Sequence, residues 1–239
     1  MEGRDGRLLA SGGADGMVRL WNPATGRPVG APLPADPGNP YGVFDVAFSP
    51  DGRLLASAGG DNMVRLWNPA TGRPVGAPIH PPRAANAESG VAFSADGKLL
   101  ASGGIGDGTV RLWNPATSQP VGAPLQATSP RYGVLGVAFS PGGGLLASAD
   151  ADGTVRLWNP ATSQPIGAPI QTGAQVVAAV AFSRDGKLLA SADSDGTVRL
   201  WQVSLFTHPY AALCAYVGPP TPQEWNHYAS GERQPKVCG

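Results

Sequence analysis

This sequence of 239 residues contains few cysteines and few histidines, and neither charge sign is in excess. Both cysteines, Cys214 and Cys238, lie close to the C-terminus, so the main body contains none. A body without cysteine pairs is not a disulfide-framed secreted domain, and we predict a cytoplasmic location. The 17 basic and 17 acidic residues cancel, which leaves no net field to attract nucleic acid or an anionic membrane.

Long apolar runs are missing as well. No run approaches the roughly 18 residues that span a bilayer, and the first residues contain no hydrophobic signal-peptide core. The three histidines are scattered, with no Cys-His or Ser-His-Asp neighbourhood that would form a nucleophilic triad. We therefore expect that this protein does not bind membranes and is not an enzyme.

Glycine (34) and proline (25) are abundant, and they recur at fixed places, as turn residues do. A Val-Arg-Leu-Trp phrase occurs five times, and its tryptophans are 46, 46, 45 and 43 residues apart. This period is that of a propeller blade of four strands. The five tryptophans are Trp21, Trp67, Trp113, Trp158 and Trp201.

Each repeat divides into short segments with strand composition. Val-Ala-Phe-Ser comes first, Leu-Leu-Ala-Ser second and Val-Arg-Leu-Trp third, with polar turns between them. The fourth segment, such as residues 28–33, contains two prolines that cannot donate to a ladder, so it is predicted to be the outer edge. Four strands repeated radially predict an all-β propeller of five four-stranded blades, the first and last incomplete.

An acidic residue stands six positions before each of these five tryptophans, in the turn that leads into the third strand. The third repeat carries an extra residue, yet this interval is unchanged, which indicates that the segment is one geometric unit. The acidic residues are Asp15, Asp61, Asp107, Asp152 and Asp195.

Over about residues 7 to 203 these features resemble the WD-repeat family. The resemblance implies that the aspartate caps its turn and joins a network with a histidine, a serine or threonine, and the tryptophan. Here the usual Gly-His pair before the first strand is missing, and only His80 occurs in any of those segments. We therefore expect backbone amides and the serine of Leu-Leu-Ala-Ser as partners, and similar destabilisation when any of these aspartates is replaced.

A finer likeness lies in the phrase Trp-Asn-Pro-Ala-Thr-Gly-Arg-Pro-Val-Gly-Ala-Pro-Leu. It is similar to the propellers at the C-termini of large bacterial signalling ATPases, particularly from actinobacteria. The tail from Tyr210 through Trp225 to Cys238 is similar to how such chains finish. This resemblance implies a sensor or partner-binding role.

The two ends of the repeat array are predicted to need covering. Residues 1–205 form the propeller, and residues 206–239 form a short helical tail that packs on the propeller or its closure seam. Three arrangements are open: a closed five-bladed ring, part of a larger ring, or two cooperating chains. We expect a monomer closed by the tail, with Leu213, Tyr216 and Trp225 as anchors.

The tail holds a nominal zinc set, but its spacings lack the tight pairs of structural zinc sites. We therefore predict no metal and no other cofactor. For Cys214 and Cys238, a disulfide and two reduced thiols are both open, and a cytosol favours the thiols.

Partner binding is assigned to the variable segments that join one blade to the next, which the family resemblance places on the top face. Tyrosine and arginine are common anchors of protein interfaces. A carbohydrate-binding or small-ligand-binding propeller is the alternative, but it needs an aromatic platform in every blade. The candidate residues are Tyr41, Phe44, His80, Arg83, Arg131 and Tyr132.

Overall fold

The structure of the chain is a computed structural model, which describes residues 6–81 and 87–207. These residues form five antiparallel sheets and one short helix. Each sheet coincides with one repeat, so the predicted all-β fold of five blades is confirmed. Within the described residues, blade one has no innermost strand and blade five has no outermost strand.

The strands are numbered in chain order. Blade one contains β1 Leu9–Gly12, β2 Met17–Asn22, β3 Arg27–Pro28 and β4 Leu33–Pro34. Blade two contains β5 Val43–Phe48, β6 Leu55–Gly59, β7 Val64–Asn68 and β8 Arg73–Pro74. Blade three contains β9 Glu88–Phe93, β10 Leu100–Gly104, β11 Thr109–Asn114, β12 Gln119–Pro120 and β13 Leu125–Gln126.

Blade four contains β14 Val134–Phe139, β15 Leu146–Asp150, β16 Thr154–Asn159 and β17 Gln164–Gln171. Blade five contains β18 Val177–Phe182, β19 Leu188–Asp193 and β20 Val198–Gln202. Helix α1, Ser204–Thr207, follows and spans the boundary that the sequence placed after residue 205.

The proline-containing segment is the outer strand of its blade in the first four repeats. It pairs with the Val-Arg-Leu-Trp strand, as Trp21 does with Pro28 and Val18 with Leu33. Proline is tolerated there because an edge strand leaves some of its N–H positions unused. In blade one the segment is split into β3 and β4, whereas in blade four it is the continuous β17.

The hydrophobic core lies between blades. One cluster joins Val18 and Leu20 of blade one to Leu55 and Trp67 of blade two. Three more clusters repeat this packing between blades two and three, three and four, and four and five. Each of blades one to four therefore packs its valine–leucine face against the tryptophan face of the next blade.

The array ends in an uncovered valine–leucine face. Val198 and Leu200 of β20 are 68 % and 66 % exposed, whereas Val155 and Leu157 at the same positions of blade four are 0 % and 2 % exposed. None of the hydrophobic clusters in the described part of the chain joins blade five to blade one. Packing between described residues therefore does not close the ring. Residues 208–239 of the predicted closing tail lie outside the described part of the chain.

Candidate functional site

The turn between the second and third strands of every blade is closed by its aspartate. The Oδ1 atom accepts the backbone N–H of the residue two positions later, at 3.0–3.2 Å. This Asx-type bond satisfies a donor that the strand ladder leaves open. The pairs are Asp15–Met17, Asp61–Met63, Asp107–Thr109, Asp152–Thr154 and Asp195–Thr197.

The arginine of Val-Arg-Leu-Trp reaches back to the same aspartate. Its Nη2 atom lies 2.5–3.1 Å from Oδ2 in four blades, and blade three contains the same pair. Sequence reasoning missed this residue, although a constant interval of four positions between aspartate and arginine was there to find. The arginines are Arg19, Arg65, Arg111, Arg156 and Arg199.

Each tryptophan has its own partner. Its indole Nε1–H donates to the serine hydroxyl of Leu-Leu-Ala-Ser at 2.9–3.3 Å. The bond crosses from the third strand to the second, so it fixes the indole relative to the second strand of its own blade. The pairs are Trp21–Ser11, Trp67–Ser57, Trp113–Ser102, Trp158–Ser148 and Trp201–Ser191.

In blades four and five an additional aspartate links the aspartate–arginine pair to the tryptophan–serine pair. The Ser148 hydroxyl donates to Asp150 Oδ2 at 3.3 Å, and Arg156 Nη1 donates to the same oxygen at 2.6 Å. Blade five repeats the arrangement with Asp193, which accepts from Ser191 and from Arg199. This carboxylate provides the bridge that the family resemblance assigns to a histidine.

Blade three obtains its second carboxylate from a different strand. Glu88 pairs with Gly104 across the sheet, and its Oε1 lies 3.5 Å from Arg111 Nη1. The side chain is fully buried, and burial raises the pKa of Glu88 to about 7. Burial likewise raises the pKa of Asp150 to about 6, against the opposing effect of Arg156.

The pKa values of two turn aspartates, Asp152 and Asp195, are shifted in the opposite direction. Burial would raise the pKa of Asp152, but hydrogen bonds from Thr154, Arg156 and Thr128 outweigh it and hold the pKa below its usual range. The pKa of Asp195 is lowered chiefly by the hydrogen bond from Arg199. These aspartates are therefore ionised at neutral pH and serve as fixed acceptors, not as proton donors.

The segments that join successive blades are pinned to the Asp-Gly turns. The backbone N–H groups of Ala35 and Asp36 donate to the Gly16 carbonyl, at 3.0 and 2.8 Å. The equivalent bonds in blade three run from Ala127 and Thr128 to Gly108, both at 3.0 Å. The joining segments and the capped turns therefore form one surface, which we call the top face.

Two of the candidate residues occupy equivalent positions on that face. Tyr41 and Tyr132 each precede a Gly-Val pair that enters the innermost strand, and they are 67 % and 42 % exposed. The carbonyl of the glycine that follows each tyrosine accepts a backbone N–H from the residue directly after the second strand of its own blade, at 2.9 Å from Gly60 and 2.8 Å from Ala151. The rings therefore project from anchored backbone.

The remaining candidates are dispersed. Arg131 is exposed beside Tyr132, and His80 is exposed after the outer strand of blade two. Phe44 is not a loop residue: it lies in β5, is 45 % exposed and lines the central groove. Arg83 lies outside the described residues, as do Cys214 and Cys238. Arg131 and Tyr132 are thus adjacent, Tyr41 and Phe44 lie three positions apart at the start of β5, and His80 lies on a different segment.

The central groove, of about 530 Å³, is bounded by the innermost strands β5, β9, β14 and β18. Its described lining is mostly alanine, valine and phenylalanine, with a single carboxylate, Asp45. Both oxygens of Asp45 are occupied, because they accept the N–H groups of Val46 at 2.8 Å and of Val91 at 2.9 Å. This groove offers apolar contact and no acid–base pair.

No group of three or more histidine, cysteine, aspartate and glutamate side chains in residues 6–81 and 87–207 is placed to hold a metal ion. No helix in that part of the chain is long and apolar enough to cross a membrane.

Comparison with protein families agrees with the geometry. The family described as WD domain, G-beta repeat matches the chain five times, at residues 3–22, 32–68, 87–114, 124–159 and 167–202. The matches cover more than half of the chain, so this protein belongs to the WD-repeat family. Members of this family typically act as interaction modules and not as enzymes. No curated protein matches the sequence.

Replacing the turn aspartates is expected to lower the free energy of unfolding by different amounts in different blades. Asp152→Ala removes bonds from Thr154, Thr128 and Arg156 at a site whose carboxylate is only 20 % exposed, so we expect a loss of about 1–2 kcal/mol in unfolding free energy. Asp195→Ala is expected to cost less, because that carboxylate is 38 % exposed. Chemical denaturation of both variants checks this order, and equal losses would contradict it.

Proposed function

We propose that this chain is a non-enzymatic scaffold or sensor module that binds a protein partner through its top face. The observation that supports this most directly is the pair of exposed tyrosines, Tyr41 and Tyr132, on backbone that hydrogen bonds hold in place. Large amphipathic rings contribute strongly to protein interfaces. Anchored segments lose little conformational entropy on binding, which favours affinity.

Charge and position add to this proposal. Arg131 stands next to Tyr132, so one edge of blade four combines a ring with a guanidinium, two side chains that are enriched in interface hot spots. Phe44 offers apolar surface at the groove between the two tyrosine-bearing blades. We place His80 at the periphery of the binding surface, and Arg83, which lies outside the described residues, stays a predicted contact.

The proposal also includes the location, oligomeric state, cofactor requirement and partner classes of the module. We infer that it works in the cytoplasm, as a monomer, without a cofactor and without nucleic-acid or membrane partners. The likeness of its phrases to the propellers of actinobacterial signalling ATPases supports a sensor role in such a protein. A ligand platform for carbohydrate is not supported, because the described joining segments of blades three and five carry no exposed tyrosine or tryptophan.

The test compares capture of proteins from a native lysate by the wild type and by a loop variant. The variant Tyr41→Ser, Phe44→Ala, Arg131→Ala, Tyr132→Ser is expected to lose at least about tenfold in retained partner, because four hot-spot side chains are removed together. Quantitative mass spectrometry of the bound fraction gives the measurement, and circular dichroism confirms that the variant is folded.

The matched control changes charge on the opposite end of the blades. Arg53, Lys98 and Lys187 lie on the hairpins between the first and second strands, with side chains 82–87 % exposed. Replacing all three with alanine is expected to leave capture unchanged. Undiminished capture by the loop variant, or loss of capture by the control variant, would show that the binding site is not on the top face.

A further inference from the structure

The side of blade five that points away from blade four is an apolar sheet face. Residues paired in a ladder lie on the same side of a sheet, and the registers of β18, β19 and β20 place six alanine, valine and leucine residues together on this side. Two of them, Val198 and Leu200, are 68 % and 66 % exposed. Contiguous apolar surface of this kind marks an interaction site. The exposed face of blade five consists of Ala179, Ala181, Ala190, Ala192, Val198 and Leu200.

In blades one to four the equivalent face is covered by the following blade. The valine and leucine of Val-Arg-Leu-Trp are there only 0–4 % exposed. They share a hydrophobic cluster with the second-strand leucine and the tryptophan of the next blade, as Val155 and Leu157 do with Leu189 and Trp201. The chain therefore shows four times which surface fits this face: a leucine and a tryptophan that lie side by side on a sheet.

Blade one presents that matching surface. Leu9 and Trp21 are paired in the ladder of β1 and β2, and Trp21 Nε1 donates to the Ser11 hydroxyl at 2.9 Å, as the equivalent tryptophans do in the other blades. Leu9 is 38 % exposed, whereas the equivalent leucines of blades two to five are each 0 % exposed. Trp21 is partly exposed as well. The leucine–tryptophan face of blade one is therefore already formed and accessible.

The two faces differ from each other, and each fits the other and not itself. In all four contacts between described blades, a valine–leucine face meets a leucine–tryptophan face. None of the clusters in residues 6–81 and 87–207 joins blade five to blade one, so the two faces of one chain do not meet in this structure. A second copy can supply the missing half with the same residues that the chain already uses between its own blades.

We propose that the exposed face of blade five is a docking site for blade one of a second copy of this chain. In this contact Leu9 and Trp21 of the second copy cover Val198 and Leu200, and the burial of apolar surface drives the association. The contact joins different patches of the two copies, so it is heterologous and can continue from copy to copy. The inference does not rest on the top-face partner, and it adds an assembled form to the free monomer proposed above.

Sedimentation velocity on the full-length wild type gives the first measurement. The weight-average mass is expected to rise with protein concentration, because a heterologous contact adds copies one after another. A wild type that stays monomeric at every concentration overturns the proposal without the need for any variant. The exposed face would then be covered by the tail of the same chain or by a different protein.

Two single variants each block one face. Leu200→Glu places a carboxylate on the exposed face of blade five, and Leu9→Glu places one on the leucine–tryptophan face of blade one. Both leucines are exposed in the single chain, so we expect both variants to fold, which circular dichroism checks. Because an unpaired carboxylate is costly to bury in an apolar contact, each variant alone is expected to associate at least about tenfold more weakly than the wild type. Association as strong as that of the wild type overturns the proposal.

An equimolar mixture of the two variants distinguishes a head-to-tail contact from a symmetric one. The Leu9→Glu copy keeps an intact blade five, and the Leu200→Glu copy keeps an intact blade one. The mixture is therefore expected to associate as strongly as the wild type but to stop at two chains, one of each variant, because the remaining faces are blocked. Native mass spectrometry identifies this species. A mixture that stays monomeric, or a dimer of Leu9→Glu with itself, contradicts the head-to-tail contact.

Tyr132→Ser is the matched control. Tyr132 is exposed on the top face and lies outside both docking faces, so this variant is expected to associate as the wild type does. Loss of association in this variant would place the contact between copies on the top face and would overturn the proposal. Because the readout is the mass of the assembly and not capture of a partner, its failure leaves the proposed function untouched.

Discussion

Arg156→Met is expected to lower the unfolding free energy by about 3 kcal/mol at pH 7, which is the usual cost of leaving a buried charge without its partner. Arg156 donates to Asp150 at 2.6 Å and to Asp152 at 3.1 Å, and the Asp150 side chain is completely buried. Methionine keeps much of the side-chain volume but removes both ion pairs. Urea denaturation of the two proteins measures the difference.

The pH dependence identifies the cause. Because the pKa of Asp150 is raised to about 6, the native state binds its proton more tightly than the unfolded chain does. The stability that this proton contributes is complete below pH 4 and is lost as the pH rises through 6. At pH 5 the carboxyl is mostly neutral, so we expect Arg156→Met to cost less there than at pH 7. Asp150→Asn, combined with Arg156→Met, is expected to recover part of the loss.

Arg19→Met is the matched control in blade one. Among the described residues, Arg19 forms its ion pair with Asp15, and both side chains are partly exposed. Surface ion pairs contribute little to stability. We therefore expect only a small change in the denaturation midpoint, without the pH dependence seen at Arg156. A loss as large as that of Arg156→Met would show that the turn pair itself, and not the buried carboxylate, carries the effect.

Gly153→Ala is expected to destabilise the protein by about 3 kcal/mol. Gly153 has φ of 81°, where alanine is strained by about 1 kcal/mol, and an added Cβ would overlap the Ala174 carbonyl oxygen. That carbonyl belongs to the segment joining blades four and five, which Thr172 also ties to the Gly153 carbonyl at 3.2 Å. The overlap therefore forces the joining segment off its turn.

The variant Gly196→Ala distinguishes the cost of backbone strain from the cost of steric overlap. Gly196 occupies the same turn of blade five, with φ of 80°, but an added Cβ there meets no atom of residues 6–81 and 87–207 within 4 Å. We expect it to cost only the conformational part, about 1 kcal/mol. Thermal unfolding of both variants gives the comparison. If the two losses are equal, the contact between the joining segment and the Asp-Gly turn is not what holds the top face together.

Several features followed from the sequence without any coordinates. The tryptophan period of 43–46 residues, the proline-bearing outer segment and the strand alternation identified five blades. These are local properties: a proline excludes a ladder donor, and a period of two assigns faces, wherever the strand lies in space. The constant interval between aspartate and tryptophan located the turns for the same reason.

Other features depend on what lies across the sheet or in the next blade. Glu88 and Arg111 are 23 positions apart, and their pairing exists only because Gly104 lies opposite Glu88 in the ladder. Phe44 reads as a loop residue in sequence, yet the bulged pairing of β5 with β6 extends the strand past it and directs it to the groove.

The contrast between equivalent residues of two blades shows most clearly what the sequence does not determine. Leu157 and Leu200 have the same sequence surroundings, Val-Arg-Leu-Trp, yet one is 2 % exposed and the other 66 % exposed. Sequence by itself determined that each blade carries a valine–leucine face that must be covered. Only the tertiary structure decided which faces are covered, because burial depends on whether a further blade and an outer strand stand beside them, and that is a property of the assembled array.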